Sequence, residues 1–314
     1  MHAPANQTFL PVRDYDLAAT LTSGQAFRWR ERDGRWEGII AGRWVHLRQD
    51  DDGIAAETTA PQENWHWLSD YLQTSLDLNS VLLTFPDDEP MRASVAACRG
   101  LRLLRQEPWE CLASFILSST KQIVQIQQIV GLLCERFGTT LDVPPGCGRV
   151  YSFPNAPQLA KAAESELRAC KMGFRAPNLL AAARQVSEGK VNLEALHRCS
   201  VEEAREQLTQ LPGVGPKIAN CVLLFAYGFQ QAFPVDVWVM KALRQLYFPK
   251  RRPNPQRLRR FVSTHFGPNA GYAQQYLFHY IRLMHRTGVP ASGTTRRANH
   301  TRTGRAGGRH SKGN

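Results

Sequence analysis

The spacing of apolar residues divides the chain into a part typical of β-strands and a longer part typical of helices. Between residues 24 and 59, Phe27 and Trp29 alternate with polar neighbours, as residues on a half-buried strand do. The turn signals Asp33-Gly34 and Asp52-Gly53 bound the further apolar stretches in the same segment. Such signals are typical of antiparallel hairpins. We therefore predict an antiparallel sheet here, followed by a helix.

From about residue 90 the apolar pattern becomes helical. The segment 109–138 has long apolar runs with a break near residues 118–122, which predicts two helices joined by a short turn. A helical hairpin is also predicted, with its first helix at Val201 to Gln210 and its second at Pro216 to Tyr227. Other helices are predicted at residues 62–75, 155–163, 164–169, 176–185, 237–247, 256–266 and 272–285.

These patterns predict an α+β protein. An N-terminal antiparallel β-sheet domain with a helix would cover residues 1–90, and a mostly helical region would cover residues 91–287, with the hairpin at about 201–227. Residues 288–314 form a basic tail with six Arg or Lys and no Asp or Glu, and their composition predicts disorder. The chain carries a net charge of +12, so half the excess lies in this tail. The other half is compatible with a phosphate-binding face.

Composition excludes several classes of protein. No run of eighteen apolar residues exists, and the first residues lack the apolar core of a signal peptide, so we expect an intracellular protein with no membrane partner. The seven cysteines contain no CxxC pair, which argues against a zinc site or a disulfide framework. The nine histidines form no HExxH or comparable ligand set, so no metal site is predicted.

The sequence LPGVGPK, at residues 211–217, is typical of the turn of a helix-hairpin-helix. Gly213 and Gly215 permit backbone conformations and close approaches that a side chain would block. Pro216 suits the first position of a helix, whose positive end attracts a phosphate. The motif alone is also compatible with an ordinary helix–helix turn.

Two residues near the hairpin can carry chemistry. Lys217 opens the second helix, and its amine, once deprotonated, can attack an electrophilic sugar carbon. Asp236 lies nineteen residues further on between apolar neighbours, where its carboxylate could stabilise positive charge on a sugar ring. The simpler alternatives are a solvated surface lysine and a plain helix N-cap.

The segment LPGVGPKIANC followed by PVDVWVMKAL resembles the helix-hairpin-helix DNA glycosylase superfamily. Four further segments resemble one branch of it, the 8-oxoguanine DNA glycosylase/lyases: SGQAFRW (23–29), EPWECLASFILSS (107–119), MGFRA (172–176) and GYAQQYLF (271–278). Together they span nearly the whole chain except the tail. The resemblance implies that Lys217 is a nucleophile that forms a Schiff base at C1′ and allows β-elimination. It implies that Asp236 supports base loss.

The same resemblance implies a pocket for a base that has left the duplex. The backbone carbonyl of Gly24 would accept the N7–H that 8-oxoguanine has and guanine lacks. Cys221 and Phe278 would sandwich the base, and Gln274 would read its Watson–Crick edge. From the residues alone, a turn glycine, two core residues and a solvated glutamine are the alternatives.

The resemblance also implies DNA contacts outside the pocket. Phe174 and Arg175 match a segment inserted near the vacated helix position, where an aromatic wedge suits unstacking and an arginine suits pairing with the opposite cytosine. From the residues alone, core packing for Phe174 and a surface charge for Arg175 are the alternatives. The chain departs from the eukaryotic pattern where asparagines follow the two serines, since Thr120, Lys121 and Gln122 stand there. Two other departures are Gln125 in place of an arginine and Trp238 in place of a histidine. These departures predict weaker discrimination for cytosine opposite the lesion.

The predicted protein is thus a bifunctional DNA glycosylase/AP lyase that excises 8-oxoguanine from double-stranded DNA as a monomer. We expect it to need no cofactor. The resemblance implies that the iron–sulfur branch of the superfamily would have four clustered cysteines after the aspartate, and no cysteine follows Cys221, so no cluster is expected. A structural cation at the hairpin remains open. The alternatives are a related helix-hairpin-helix glycosylase of other base specificity and a non-catalytic DNA-binding module.

Overall fold

The computed structural model describes residues 5–249 and 253–287 and confirms the predicted α+β class. The strands are β1 (Ala5–Pro11), β2 (Arg30–Arg32), β3 (Arg35–Ile40), β4 (Arg43–Asp50), β5 (Gly53–Gln62), β6 (Thr140–Leu141) and β7 (Val150–Tyr151). The helices are α1 (Leu17–Thr22), α2 (His66–Leu72), α3 (Leu78–Leu82), α4 (Glu89–Ala97), α5 (Pro108–Leu117), α6 (Ile123–Phe137), α7 (Ala156–Ala160), α8 (Glu164–Leu167), α9 (Ala176–Ser187), α10 (Val201–Thr209), α11 (Pro216–Val222), α12 (Val237–Leu246), α13 (Pro255–His265) and α14 (Ala270–Thr287). Short 3-10 or π turns occupy Arg168–Met172, Gly173–Arg175, Leu193–Arg198 and Leu223–Tyr227.

The N-terminal sheet has five strands in the order β1-β5-β4-β3-β2, and every neighbouring pair is antiparallel. The prediction that Phe27 and Trp29 lie on a strand is wrong, because β2 begins only at Arg30. Both side chains are buried, but Phe27 packs in the helical core and Trp29 in the core under the sheet. Their alternation reflects a segment that joins the two cores.

The predicted break between two helices at residues 118–122 is confirmed by the gap between α5 and α6. The predicted hairpin is formed by α10 and α11. Helix α14 is fixed to the middle of the chain by two buried tyrosines: the Tyr272 hydroxyl accepts from Leu103 N at 3.0 Å, and the Tyr276 hydroxyl donates to Leu101 O at 3.0 Å.

The predicted disordered tail, residues 288–314, lies outside the described residues. The predicted boundary near residue 90 stays a prediction. In the part of the chain that the structure describes, no helix has the length and apolar character needed to cross a membrane.

Candidate active site

A cavity of about 1010 Å³ opens between the hairpin, the α5–α6 turn and α14. It brings together the predicted catalytic pair, all four predicted base-pocket residues and four of the predicted DNA-contact residues. The predicted residues in its lining are Gly24, Thr120, Lys121, Gln122, Lys217, Cys221, Asp236, Trp238, Gln274 and Phe278. Segments from both ends of the sequence therefore meet at one site.

The hairpin turn places Lys217 at this site. Gly213 has a φ of +80°, and a Cβ there would lie 2.8 Å from the Cβ of Asn178, so the turn requires glycine. Gly215 is the N-cap of α11, and Pro216 follows at the first helical position, where its missing N–H costs little. Lys217 comes next and is half-buried, so the interpretation as a fully solvated surface lysine is wrong.

The amine of Lys217 is held by the end of α5. Its Nζ lies 3.1 Å from Ser118 Oγ and 5.3 Å from the centre of the Phe115 ring. The Ser118 hydroxyl donates to Phe115 O at 2.7 Å, so its oxygen is left to accept from the amine. No role was predicted for Ser118, although it lies in the matching segment 107–119 and in the break after an apolar helix.

Asp236 combines a structural role with a free carboxylate oxygen. It is the N-cap of α12, and its Oδ1 accepts from Trp238 N at 2.9 Å and from Val239 N at 2.8 Å. Within residues 5–249 and 253–287, its Oδ2 has no hydrogen-bond partner. The cap therefore fixes the group while one oxygen stays available to a bound substrate.

Cys221 lies one turn after Lys217 on α11 and is buried. Burial raises the pKa of its thiol to about 11, an effect that Lys217 opposes and Asp236 reinforces. The thiol therefore stays protonated at neutral pH and offers an uncharged surface to the cavity. Gly24 lies nearby with a φ of +81°, and a Cβ on it would lie 2.9 Å from Ile123 Cδ1 and 3.4 Å from Phe278 Cε1. The positive φ favours glycine at this position.

Gln274 is buried, with 3% of its surface exposed, so the interpretation as a solvated glutamine is wrong. Its Oε1 is buried and has no hydrogen-bond partner among the residues that the structure describes. An unpaired buried acceptor costs about 1–3 kcal/mol. A ligand with N–H donors would remove this cost.

Two buried glutamines that sequence reasoning missed hold the loop around Gly24. Gln275 Nε2 donates to Ser23 O at 3.1 Å. Gln25 Nε2 donates to Thr20 O and Arg102 O, at 2.9 Å and 2.8 Å. Both adjoin predicted pocket residues within matching segments, which was the signal that could have identified them.

Several predicted DNA-contact residues lie outside the cavity. Gly213 and Gly215 are exposed on the hairpin turn. Gln125 lies in the first turn of α6, where its Oε1 accepts from Gln122 N at 3.1 Å. Phe174 is 62% exposed, so the interpretation as a core residue is wrong.

Arg175 points into the protein and is 3% exposed, so the interpretation as a surface charge is wrong. Its guanidinium donates to Thr120 Oγ1 at 2.6 Å, to Met172 O at 3.2 Å and to Ser119 O. The Arg175 side chain therefore braces the α5–α6 turn that carries Ser118. Its predicted contact with the opposite cytosine stays a prediction, and making it would require these bonds to break.

The cavity lining is strongly basic. It contains Lys121, Lys217, Arg282 and Arg286 but only one carboxylate, Asp236. Such a charge balance suits the phosphates of DNA. Trp238 also lines the cavity. Its ring is edge-on to the His285 ring, with the ring centres 5.1 Å apart, and the Nζ of Lys241 lies 5.4 Å from the centre of the Trp238 ring.

Two family models match consecutive parts of the chain. Residues 8–112 match the 8-oxoguanine DNA glycosylase N-terminal domain, and residues 113–268 match the HhH-GPD superfamily base excision DNA repair proteins. The fold and the cavity are thus those of a base excision DNA repair protein. The chain belongs to the 8-oxoguanine DNA glycosylases of the HhH-GPD superfamily, as its sequence segments indicated.

Individual relatives are similar over most of their length. The N-glycosylase/DNA lyase OGG1 of Arabidopsis thaliana is 30% identical, with 88% of this chain and 81% of the relative covered. The structure of MBOgg1 with a low-affinity DNA ligand has a TM-score of 0.85 at 32% identity, covering 90% of this chain and 98% of that one. The Clostridium acetobutylicum 8-oxoguanine glycosylase/lyase, bound to duplex DNA with cytosine opposite 8-oxoguanine, has a TM-score of 0.81 at 30% identity, covering 88% and 98%.

Proposed function

We propose that this protein excises 8-oxoguanine from duplex DNA and then cleaves the strand, with Lys217 as the nucleophile. The neutral amine attacks C1′ of the flipped nucleotide, the C1′–N9 bond breaks, and the base leaves with its electron pair and takes up a proton. The new ammonium then loses a proton, the C1′–O4′ bond opens with O4′ taking up a proton, and the protonated Schiff base between Lys217 and C1′ makes the C2′ proton acidic. Loss of that proton expels the 3′ phosphate by β-elimination. The observation that carries the proposal is that Lys217 and Asp236 line one cavity with Gln274, whose buried Oε1 has no hydrogen-bond partner among the described residues.

Each side of the cavity has a distinct role in this reaction. The carboxylate of Asp236 stabilises the positive charge that develops on the sugar as the base leaves. The Gly24 carbonyl accepts N7–H of 8-oxoguanine, and Gln274 Oε1 accepts from the N–H groups of its Watson–Crick edge. Cys221 and Phe278 contact the two faces of the base. Guanine lacks the N7–H, so its lone pair would face the carbonyl and bind less well.

Borohydride trapping tests the mechanism. Reduction of the Schiff base should link wild-type protein covalently to duplex DNA that contains 8-oxoguanine, and the Lys217→Gln variant should give no adduct. The same assay with 3-methyladenine DNA tests other base specificity. An adduct of equal yield with Lys217→Gln would contradict the assignment of the nucleophile. Absence of excision and of an adduct with wild type would indicate a binding module.

The preference for the opposite base is a separate part of the proposal. Thr120, Lys121 and Gln122 stand where the eukaryotic pattern has asparagines, and Gln125 replaces an arginine that contacts cytosine, so we expect weaker discrimination for cytosine than in the eukaryotic enzymes. Single-turnover rates opposite C, A, G and T measure this. A strong preference for cytosine would contradict it and would favour release of Arg175 toward the opposite base.

We further propose that the enzyme acts as a monomer on intracellular DNA and needs no resident cofactor. In the described ranges, no three His, Cys, Asp or Glu side chains lie together as a metal site. A structural cation held by backbone carbonyls of the hairpin stays part of the proposal. Size-exclusion chromatography tests the monomer. Activity and DNA affinity after dialysis against a chelator test the cofactor and the cation.

A further inference from the structure

Four of the α14 residues that line the cavity follow one another at intervals of four: Gln274, Phe278, Arg282 and, exposed at the outer end, Arg286. Residues at this spacing lie on one face of a helix. Gln274 and Phe278 already have roles in the proposed function, whereas Arg282 was not among the predicted site residues. Its position in the same row suggests that it faces the same ligand.

Arg282 carries a buried donor without a partner. Its Nη1 is buried and makes no hydrogen bond to any residue that the structure describes. Its guanidinium carbon lies 5.1 Å from the centre of the Phe278 ring, as the cation–π interaction requires. Burial lowers the pKa of Arg282, with Arg286 acting in the same direction and Asp236 in the opposite one. A buried charged donor of this kind is costly until an acceptor reaches it.

The donor lies beside Gly24. A Cβ built on Gly24 would be 3.5 Å from Arg282 Nη1 and 3.4 Å from Phe278 Cε1. The Gly24 carbonyl is assigned to N7–H of the base in the proposed function. In 8-oxoguanine a keto oxygen stands on either side of N7, so an acceptor is available next to the atom that Gly24 reads.

We propose that Arg282 is a specificity-determining residue, whose Nη1–H donates to a keto oxygen beside N7 of the flipped base. This inference rests on the proposed function. A phosphate is the competing acceptor, but Nη1 is buried, whereas His285 and Arg286 are exposed at the rim, where the DNA backbone would pass. Gly24 and Arg282 would then read a donor and an adjacent acceptor together. Adenine has neither an N7–H nor a keto oxygen on this edge, so it could make neither the contact with Gly24 nor the contact with Arg282.

The test compares two reactions of the full-length protein. Excision of 8-oxoguanine requires reading of the base, whereas cleavage of a preformed abasic site does not. We expect Arg282→Met to lower the ratio of excision rate to abasic cleavage rate about 10- to 100-fold, the range for a hydrogen bond to a charged group. Arg282→Lys keeps a charged donor and should recover part of the ratio. The control Arg286→Met should leave the ratio within about threefold, because a rim phosphate contact serves both reactions.

The outcomes separate this inference from the proposed function. Equal loss of both reactions in Arg282→Met would indicate a phosphate contact and overturn the inference, and an unchanged ratio would also overturn it. If wild type cleaves abasic DNA but excises no 8-oxoguanine, the proposed function fails instead. Thermal unfolding of each variant shows whether it folds. If Arg282→Met does not fold, Arg282→Lys decides the question: a ratio lowered about two- to tenfold supports the inference, and an unchanged ratio overturns it.

Discussion

The cavity has two walls: the hairpin wall, formed by α11 with the end of α5 and the start of α12, and the α14 wall, formed by α14. The two walls differ in how the hydrogen-bonding groups of their side chains are satisfied. On the hairpin wall, Lys217 is bonded to Ser118 and one oxygen of Asp236 caps α12. On the α14 wall, Gln274 Oε1 and Arg282 Nη1 are buried without partners in the described part of the chain. The reacting groups of the hairpin wall are therefore held in position before substrate arrives, whereas the buried polar groups of the α14 wall gain partners only from the ligand.

This difference follows from what each wall must do. Groups that react must already hold the correct position when the sugar arrives, because reorganisation during the reaction would raise the barrier. Groups that recognise a base gain selectivity from having no hydrogen-bond partner in the free protein. A ligand that does not supply the partner leaves a buried polar group unpaired, which costs about 1–3 kcal/mol. Changes on the hairpin wall should therefore affect the rate of chemistry, and changes on the α14 wall should affect selectivity and stability.

The largest effect should come from Asp236→Asn. Asparagine caps a helix about as well as aspartate, so α12 and the free energy of unfolding should change little. The negative charge is lost, and excision under single-turnover conditions should fall roughly 100- to 1000-fold. Asp236→Ala should lose the same rate and, in addition, about 1 kcal/mol of stability. A loss of rate confined to Asp236→Ala would show that the cap alone matters and would break the distinction between the walls.

Acid should destabilise the α14 wall through His279. Burial, followed by Arg282 and Arg286, lowers the pKa of this histidine from 6.5 to about 4, while Asp16 opposes the shift. Between these values the unfolded chain binds the proton and the folded chain does not. Stability is therefore full above pH 6.5 and is lost as the pH falls toward 4, by roughly 3 kcal/mol at most.

Urea unfolding at pH 7 and pH 5 measures this effect by comparing wild type with His279→Leu. Other carboxyl groups titrate in both proteins, so only the difference in pH dependence belongs to His279. We expect the variant to lose less stability than wild type on acidification. Parallel losses would mean that His279 is protonated in the folded protein.

The contrast between the walls also explains what the sequence could predict. Local patterns determine where a helix begins, so the turn at Gly213, Lys217 after Pro216 and the cap at Asp236 could be located from a few neighbouring residues. The helix break at 118–122 was equally local. Partnerships across the fold leave no such pattern: the bond from Lys217 to Ser118 joins residues 99 positions apart, and that from Gln275 to Ser23 joins residues 252 apart.

The burial of the Arg175 and Arg282 side chains could not be predicted from the sequence either. Arginines are mostly exposed, and composition gives no sign of the exceptions. The strand expected at Phe27 failed for a related reason, because burial of alternate residues in two different cores imitates the pattern of a strand.

Gln274→Leu should separate stability from recognition on the α14 wall. The variant removes a buried acceptor that has no partner among the described residues, so the free protein should be unchanged or more stable by about 1 kcal/mol. Excision of 8-oxoguanine should fall about 10- to 100-fold, because N–H groups of the base lose their acceptor. Thermal unfolding and single-turnover excision measure the two effects. A less stable variant with unchanged excision would show that Gln274 is only part of the core.

The smallest effect should come from Ser118→Ala, which removes the hydrogen-bond acceptor of Lys217 without touching its charge. Phe115 still contacts the side chain, with its ring centre 5.3 Å from Nζ, so the amine keeps one of its two restraints. Loss of a hydrogen bond worth about 1 kcal/mol should lower both excision and abasic cleavage roughly three- to tenfold. The equal loss matters, because Lys217 attacks the same carbon in both reactions, whereas changes at Gln274 or Arg282 should affect excision alone. If Ser118→Ala impaired only excision, Ser118 would serve base recognition, and the division between a prearranged wall and a ligand-completed wall would not hold at the α5–α6 turn.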